Sequence, residues 1–66
     1  MNLVLNGEKR TVPGIHTVSE LLEQLSLAMG QVLVERNGQV VQRTQFSTTD
    51  LSEGDQIEIV RVVAGG

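Results

Sequence analysis

Two hairpin signals, one amphipathic helical stretch between them and a strongly β-prone run near the end predict an α+β fold for this 66-residue chain, with a mixed sheet packed on one main helix. Asn6-Gly7 and Asn37-Gly38 mark the hairpins, the first after the alternating apolar residues Met1, Leu3 and Leu5, the second between Val32 and Val34 on one side and Val40 and Val41 on the other. A doubly wound parallel sheet needs a crossover helix for each added strand, and one helix cannot supply them. The order ββαββ with a final strand is met by a sheet that grasps its helix, the last strand inserting beside the first. This is the β-grasp or ubiquitin-like arrangement.

Taken in order, Met1, Leu3 and Leu5 alternate onto one face of a first strand. Asn6-Gly7 then turns the chain, either as a two-residue loop pairing Leu5 with Glu8 or as a longer one pairing Leu5 with Arg10. Both registers put Val12 on the Leu3/Leu5 face, and Pro13-Gly14 ends the second strand, Glu8–Val12. Thr17-Val18-Ser19-Glu20 has the form of a capping box, so a helix starts at Val18. Val18, Leu21, Leu22 and Leu25, then Ala28 or Met29, keep helical spacing as far as Gly30, the expected stop; Leu27 falls off the stripe.

The second hairpin pairs Arg36 with Gln39 and Val34 with Val41, placing Val32, Val34 and Val41 toward the core. Arg43–Asp50 reads as a loop or short helical turn anchored by Phe46, with Leu51 joining it, and Glu53-Gly54-Asp55 as a turn. The last strand, Gln56–Val63, is apolar at Ile57 and Ile59 on one face and at Val60 and Val62 on the other. It therefore holds a bulge, or is central with both faces partly covered, or meets a partner on its outer face. Val60 and Val62 are the candidate docking residues. Arg61 reads as a solvated strand residue, and Glu20, Glu23, Glu53, Asp55 and Glu58 as a solubilising acidic surface.

Composition excludes much. Without Cys there is no dithiol chemistry, side-chain persulfide or thiolate metal site, and with His16 as the lone histidine no multi-histidine metal cage. A net charge of −3, with five Lys and Arg, argues against nucleic acid as partner. No stretch resembles a membrane span or a targeting segment, so a cytoplasmic, monomeric domain spanning residues 1–66 is expected, with a stability on the order of 3–5 kcal/mol. His16 with Ser19 could suggest a hydrolytic triad, but His16 lies in a loop and no nucleophile elbow surrounds a serine. No glycine-rich phosphate loop follows a strand, so nucleotide binding by this chain alone is not expected.

The chain ends Val62-Val63-Ala64-Gly65-Gly66. Beyond Val63, three residues extend about 10 Å, enough to carry the Gly66 carboxylate into another protein's channel. Glycines at 65 and 66 let the backbone pass a narrow tunnel, and the uncrowded terminal carbonyl is open to attack once activated as a mixed anhydride with AMP. Nothing in the chain could perform that activation.

Leu5-Asn6-Gly7, Thr17-Val18-Ser19-Glu20-Leu21-Leu22, Asn37-Gly38-Gln39-Val40-Val41, Gly54-Asp55-Gln56-Ile57-Glu58-Ile59 and the terminal Gly65-Gly66 together resemble the ThiS family, the sulfur carriers of thiamine biosynthesis. The family often reads V-V-P-R-x-x-W where this chain has Val40-Val41-Gln42-Arg43-Thr44-Gln45-Phe46. The resemblance implies a carrier and not an enzyme. A ThiF-like, E1-like adenylyltransferase would use ATP to adenylate Gly66, and a persulfide from a cysteine desulfurase pathway would displace AMP. The resulting thiocarboxylate would pass its sulfur to a ThiG-like thiazole synthase, with Ala64, Gly65 and Gly66 as the inserted tail. No cofactor and no metal would be bound by the chain itself. The alternatives are a carrier of the molybdopterin synthase small-subunit type, a ubiquitin-like covalent modifier and a binding module with an inert tail.

Overall fold

The computed structural model describes residues 1–62. Five strands, β1 (Asn2–Leu5), β2 (Glu8–Thr11), β3 (Val32–Arg36), β4 (Gln39–Val41) and β5 (Gln56–Arg61), form one mixed sheet in the order β2-β1-β5-β3-β4, and one helix, α1 (Val18–Gln24), packs on it. β5 runs parallel to β1 and antiparallel to β3, so the last strand occupies the centre, as the β-grasp reading requires.

Both hairpins use two-residue turns. Leu5 pairs with Glu8, which settles the open register of the first, and Arg36 pairs with Gln39 in the second. Asn6 (φ 49°) with Gly7 (φ 83°), and Asn37 (φ 52°) with Gly38 (φ 83°), hold the left-handed backbone that matches the twist of the flanking strands. Leu3, Leu5, Val34 and Ile57 from the sheet meet Val18, Leu21 and Leu22 from α1 in the buried core. Phe46, just after a 3₁₀ turn at Arg43–Gln45, is 2% exposed and closes the core from the loop side, as expected from its isolation in a polar stretch.

The helix begins as predicted: the Glu20 N–H donates to the Thr17 hydroxyl, and the Glu20 carboxylate accepts from the N–H groups of Thr17 and His16. Its first two N–H groups donate to loop carbonyls, Val18 to Thr49 and Ser19 to Phe46. The helix end departs from the expectation of a run to Gly30. α1 stops at Gln24, capped by Leu25, with Ser26 at φ 57° and N–H groups of Ser26 and Leu27 donating to the carbonyls of Glu23 and Leu22. This is the Schellman pattern. Continued helix would have turned Leu27 to the solvent side, opposite the apolar stripe; unwinding at Ser26 instead packs Leu27 against the core and leaves Met29 exposed in a 3₁₀ turn, Met29–Gln31.

Asp55 corrects a second expectation. It is 6% exposed, and its carboxylate accepts from Arg36 Nε (2.7 Å), Asn37 Nδ2 (3.0 Å) and the Ser52 N–H (2.8 Å). It is a structural acceptor joining the second hairpin to the start of β5, and not part of a solvated acidic face. Burial by itself would raise this carboxyl, but the Ser52 N–H, the Arg36 and Asn37 donors and the Arg36 charge outweigh it and hold the group below the usual carboxylate range.

Candidate functional site

The strand that leads to the C-terminus is the most completely held strand of the sheet. Along β5, Gln56, Glu58, Val60 and Val62 turn their peptide groups toward β3, and the last described bond on that side runs from the Val62 N–H to the Gln31 carbonyl, 2.8 Å. On the other side β1 ends at Leu5, and the Asn6 side chain extends the ladder: Oδ1 accepts from the Ile59 N–H at 2.8 Å and Nδ2 donates to the Ile59 carbonyl at 3.3 Å. Asn37 does the same at the strand's start, its Oδ1 accepting from the Gln56 N–H at 2.9 Å. Each turn asparagine thus serves its hairpin and also pins β5.

β5 keeps a continuous register with β3 from Ile57 to Arg61, so of the two structural accounts of its apolar residues the bulge is ruled out. Ile57 is buried and Ile59 half-buried on the helix side, while Val60 and Val62 stand on the outer face, 58% and 43% exposed. Neither is covered by the sheet's own packing. Leu33 lies directly opposite Val60, and Met29, Leu33, Val40 and Val62 border a shallow groove of about 280 Å³. On the same face Glu35 stands directly opposite Glu58, two like charges with no ion-pair partner among the described residues. An apolar patch and an unrelieved acidic pair therefore share the outer face beside the root of the tail. A wider hollow, about 450 Å³, lies away from that root, among Asn2, Val4, Lys9, Arg10 and Thr11.

The other candidates assemble nothing. His16 is exposed, its Nδ1 3.4 Å from Glu20, and the Ser19 hydroxyl is directed at the Met29 sulfur, so no triad forms. The Glu20 carboxyl lies below its ordinary range, chiefly because the His16 N–H and then the Thr17 N–H donate to it, which is capping and not catalysis. Among the described residues, no three His, Asp or Glu side chains gather as metal ligands, and no helix is long and apolar enough to cross a membrane. Ala64, Gly65 and Gly66 lie outside the described residues.

Residues 3–66 match the family model described as "ThiS family". The chain belongs to the ThiS family. Over all 66 residues of both chains it is 35% identical to the sulfur carrier protein ThiS of Escherichia coli K12. The crystal structure of the thiamine biosynthesis protein ThiS from Geobacter metallireducens superposes with a TM-score of 0.83 at 40% identity, covering all of both chains. The chain is also 38% identical over 66 residues to the thiazole synthase of Paramagnetospirillum magneticum, but spans only 20% of that relative's length. The ThiS fold accounts for the β-grasp sheet and for the central place of β5. What reading the sequence missed in this ThiS chain are the side-chain roles of Asn6, Asn37 and Asp55, since Asn-Gly announces a turn and carries no sign of a strand tens of residues away.

Proposed function

We propose that this chain is a sulfur carrier of thiamine biosynthesis and that its working group is the Gly66 carboxylate. The observation that carries the reading is the end-to-end similarity to a protein named sulfur carrier ThiS, combined with the terminal Ala64-Gly65-Gly66 that follows a central strand. The chain is a carrier and the chemistry belongs to its partners. A carboxylate is a poor electrophile; in the proposed cycle a ThiF-like adenylyltransferase binds ATP, the Gly66 carboxylate attacks its α-phosphorus, and pyrophosphate leaves. A persulfide from a cysteine desulfurase pathway then displaces AMP to give an acyl disulfide, and a thiol attacks the donor's sulfur in that S–S bond, leaving a thiocarboxylate on Gly66 for thiazole synthase and a disulfide on the donor. The central strand β5 leads directly into the tail, and residues 64–66, without bulky side chains, enter the partner's channel.

Docking is assigned to the outer face. Val60 and Val62 are exposed, immediately precede the tail and adjoin Leu33 and Met29, so a partner that takes in Gly66 is brought against them. The similarity to a thiazole synthase supports that enzyme as the sulfur acceptor.

The test is the intact mass of the chain after incubation with the host adenylyltransferase, cysteine desulfurase, cysteine and ATP. The expected product gains the difference between one sulfur and one oxygen, and a chain lacking Gly66 stays unchanged while keeping its circular dichroism spectrum. An unaltered mass with enzymes shown to be active on another carrier, or the same gain without Gly66, overturns the assignment.

A further inference from the structure

The inner face of the sheet is incompletely covered. α1 has seven residues and spans about 10 Å, whereas the six residues of β5 extend about 20 Å, so the helix ends before the strand does. Past the end of α1 lies a groove of about 310 Å³ with an apolar floor of Leu5, Leu25, Leu27 and Ile59, and with Arg10 and Arg61 on its border. Leu25, Leu27 and Ile59 are only half-buried there. Neither arginine pairs with a carboxylate among the described residues, although the chain carries eight acidic residues against five basic ones.

The backbone at this groove is open as well. Alternation along β5 turns the Arg61 N–H and C=O toward the β1 side, and the last group supplied there is the Asn6 side chain at Ile59. Among the described residues, two guanidiniums without carboxylate partners, an apolar floor and an Arg61 peptide edge without a backbone partner border this groove, and Arg61 immediately precedes Val62. An extended peptide can use all three at once: main-chain hydrogen bonds to the edge, an apolar side chain on the floor, and a carboxylate for the arginines.

We infer that this groove is a second docking surface, distinct from the outer face of Val60 and Val62, and that it receives an extended segment of the sulfur-accepting thiazole synthase bearing an apolar side chain next to a carboxylate. This rests on the proposed function for the identity of the acceptor. Thiazole synthase is the acceptor because a relative of that name carries a stretch 38% identical to all 66 residues of this chain. Alternate residues of β5 point to opposite faces, so surfaces for charging and for discharging can flank the same tail without overlapping.

Arg10 separates this surface from the tail, because it lies on β2 and belongs to neither the tail nor the outer face. Binding of the intact chain to purified host thiazole synthase is measured at low and high salt for the unaltered protein, Arg10→Glu and Arg10→Lys, with the rate of adenylation by the adenylyltransferase measured in parallel. Arg10→Glu is expected to weaken binding to thiazole synthase about tenfold or more at low salt and less at high salt, Arg10→Lys to stay within about threefold, and adenylation to be unchanged. Equal binding by Arg10→Glu overturns the inference, as does a loss confined to adenylation. Failure of the unaltered chain to acquire sulfur counts against the carrier reading, whereas the groove stands or falls by the binding measurement.

Discussion

Asp55 shows how much one side chain holds in so small a protein. Its carboxylate receives the Arg36, Asn37 and Ser52 donors, while its own carbonyl accepts from the Val4 N–H, so β1, the second hairpin and the start of β5 meet at this residue. Asp55→Asn keeps the shape and removes the charge that the Arg36 guanidinium faces; a loss of about 1–2 kcal/mol at neutral pH is expected from chemical denaturation. The folded carboxyl titrates below its unfolded value, so its contribution is complete above about pH 4, the unfolded range, and is lost as pH falls through the folded value. The original chain and the Asn variant should therefore converge in stability as pH falls below the ordinary carboxylate range and stay apart at pH 7. A constant gap across that range would show that the charge contributes nothing. The residue's role was hidden in the sequence because its partners Arg36 and Asn37 lie 19 and 18 positions away, beyond any local pattern.

At the scale of elements, what was legible is what local chemistry decides. Asn-Gly selects the two-residue turn and thereby the register, and Thr17-Val18-Ser19-Glu20 places the first turn of the helix. The helix end was not legible, because Ser26 has no intrinsic preference for a positive φ and the stop goes with the packing of Leu27 against the edge of the core. Ser26→Gly tests this. Glycine takes the left-handed conformation without the Cβ penalty but loses more entropy on folding, and the balance at a C′ position favours it by about 0.5 kcal/mol. A higher midpoint in thermal or chemical unfolding is the expected result. A lower one would mean that the seryl side chain makes a contribution its exposed position gives no sign of.

Across the whole molecule, the two faces of the sheet follow different rules. The inner face carries the hydrophobic core, and no buried side-chain nitrogen or oxygen among the described residues lacks a hydrogen-bond partner. The outer face leaves demands unresolved. Val60 and Leu33 stay in water, and Glu35 faces Glu58 across the central strand pair, where like charges cost on the order of 0.2–1 kcal/mol. A surface arranged for stability alone would have replaced both features. The tail reading explains them, because an apolar patch and a negative pair beside the root of the tail suit a partner that brings apolar and basic groups of its own. The double variant Glu58→Gln with Val60→Thr separates stability from function, since threonine preserves β-propensity and glutamine removes the repulsion. It is expected to unfold at a higher denaturant concentration, by up to about 1 kcal/mol, and to acquire sulfur more slowly at limiting adenylyltransferase, the deficit vanishing when that enzyme is saturating. Equal rates at limiting enzyme would remove the outer face from the docking surface and leave the tail alone to make the encounter.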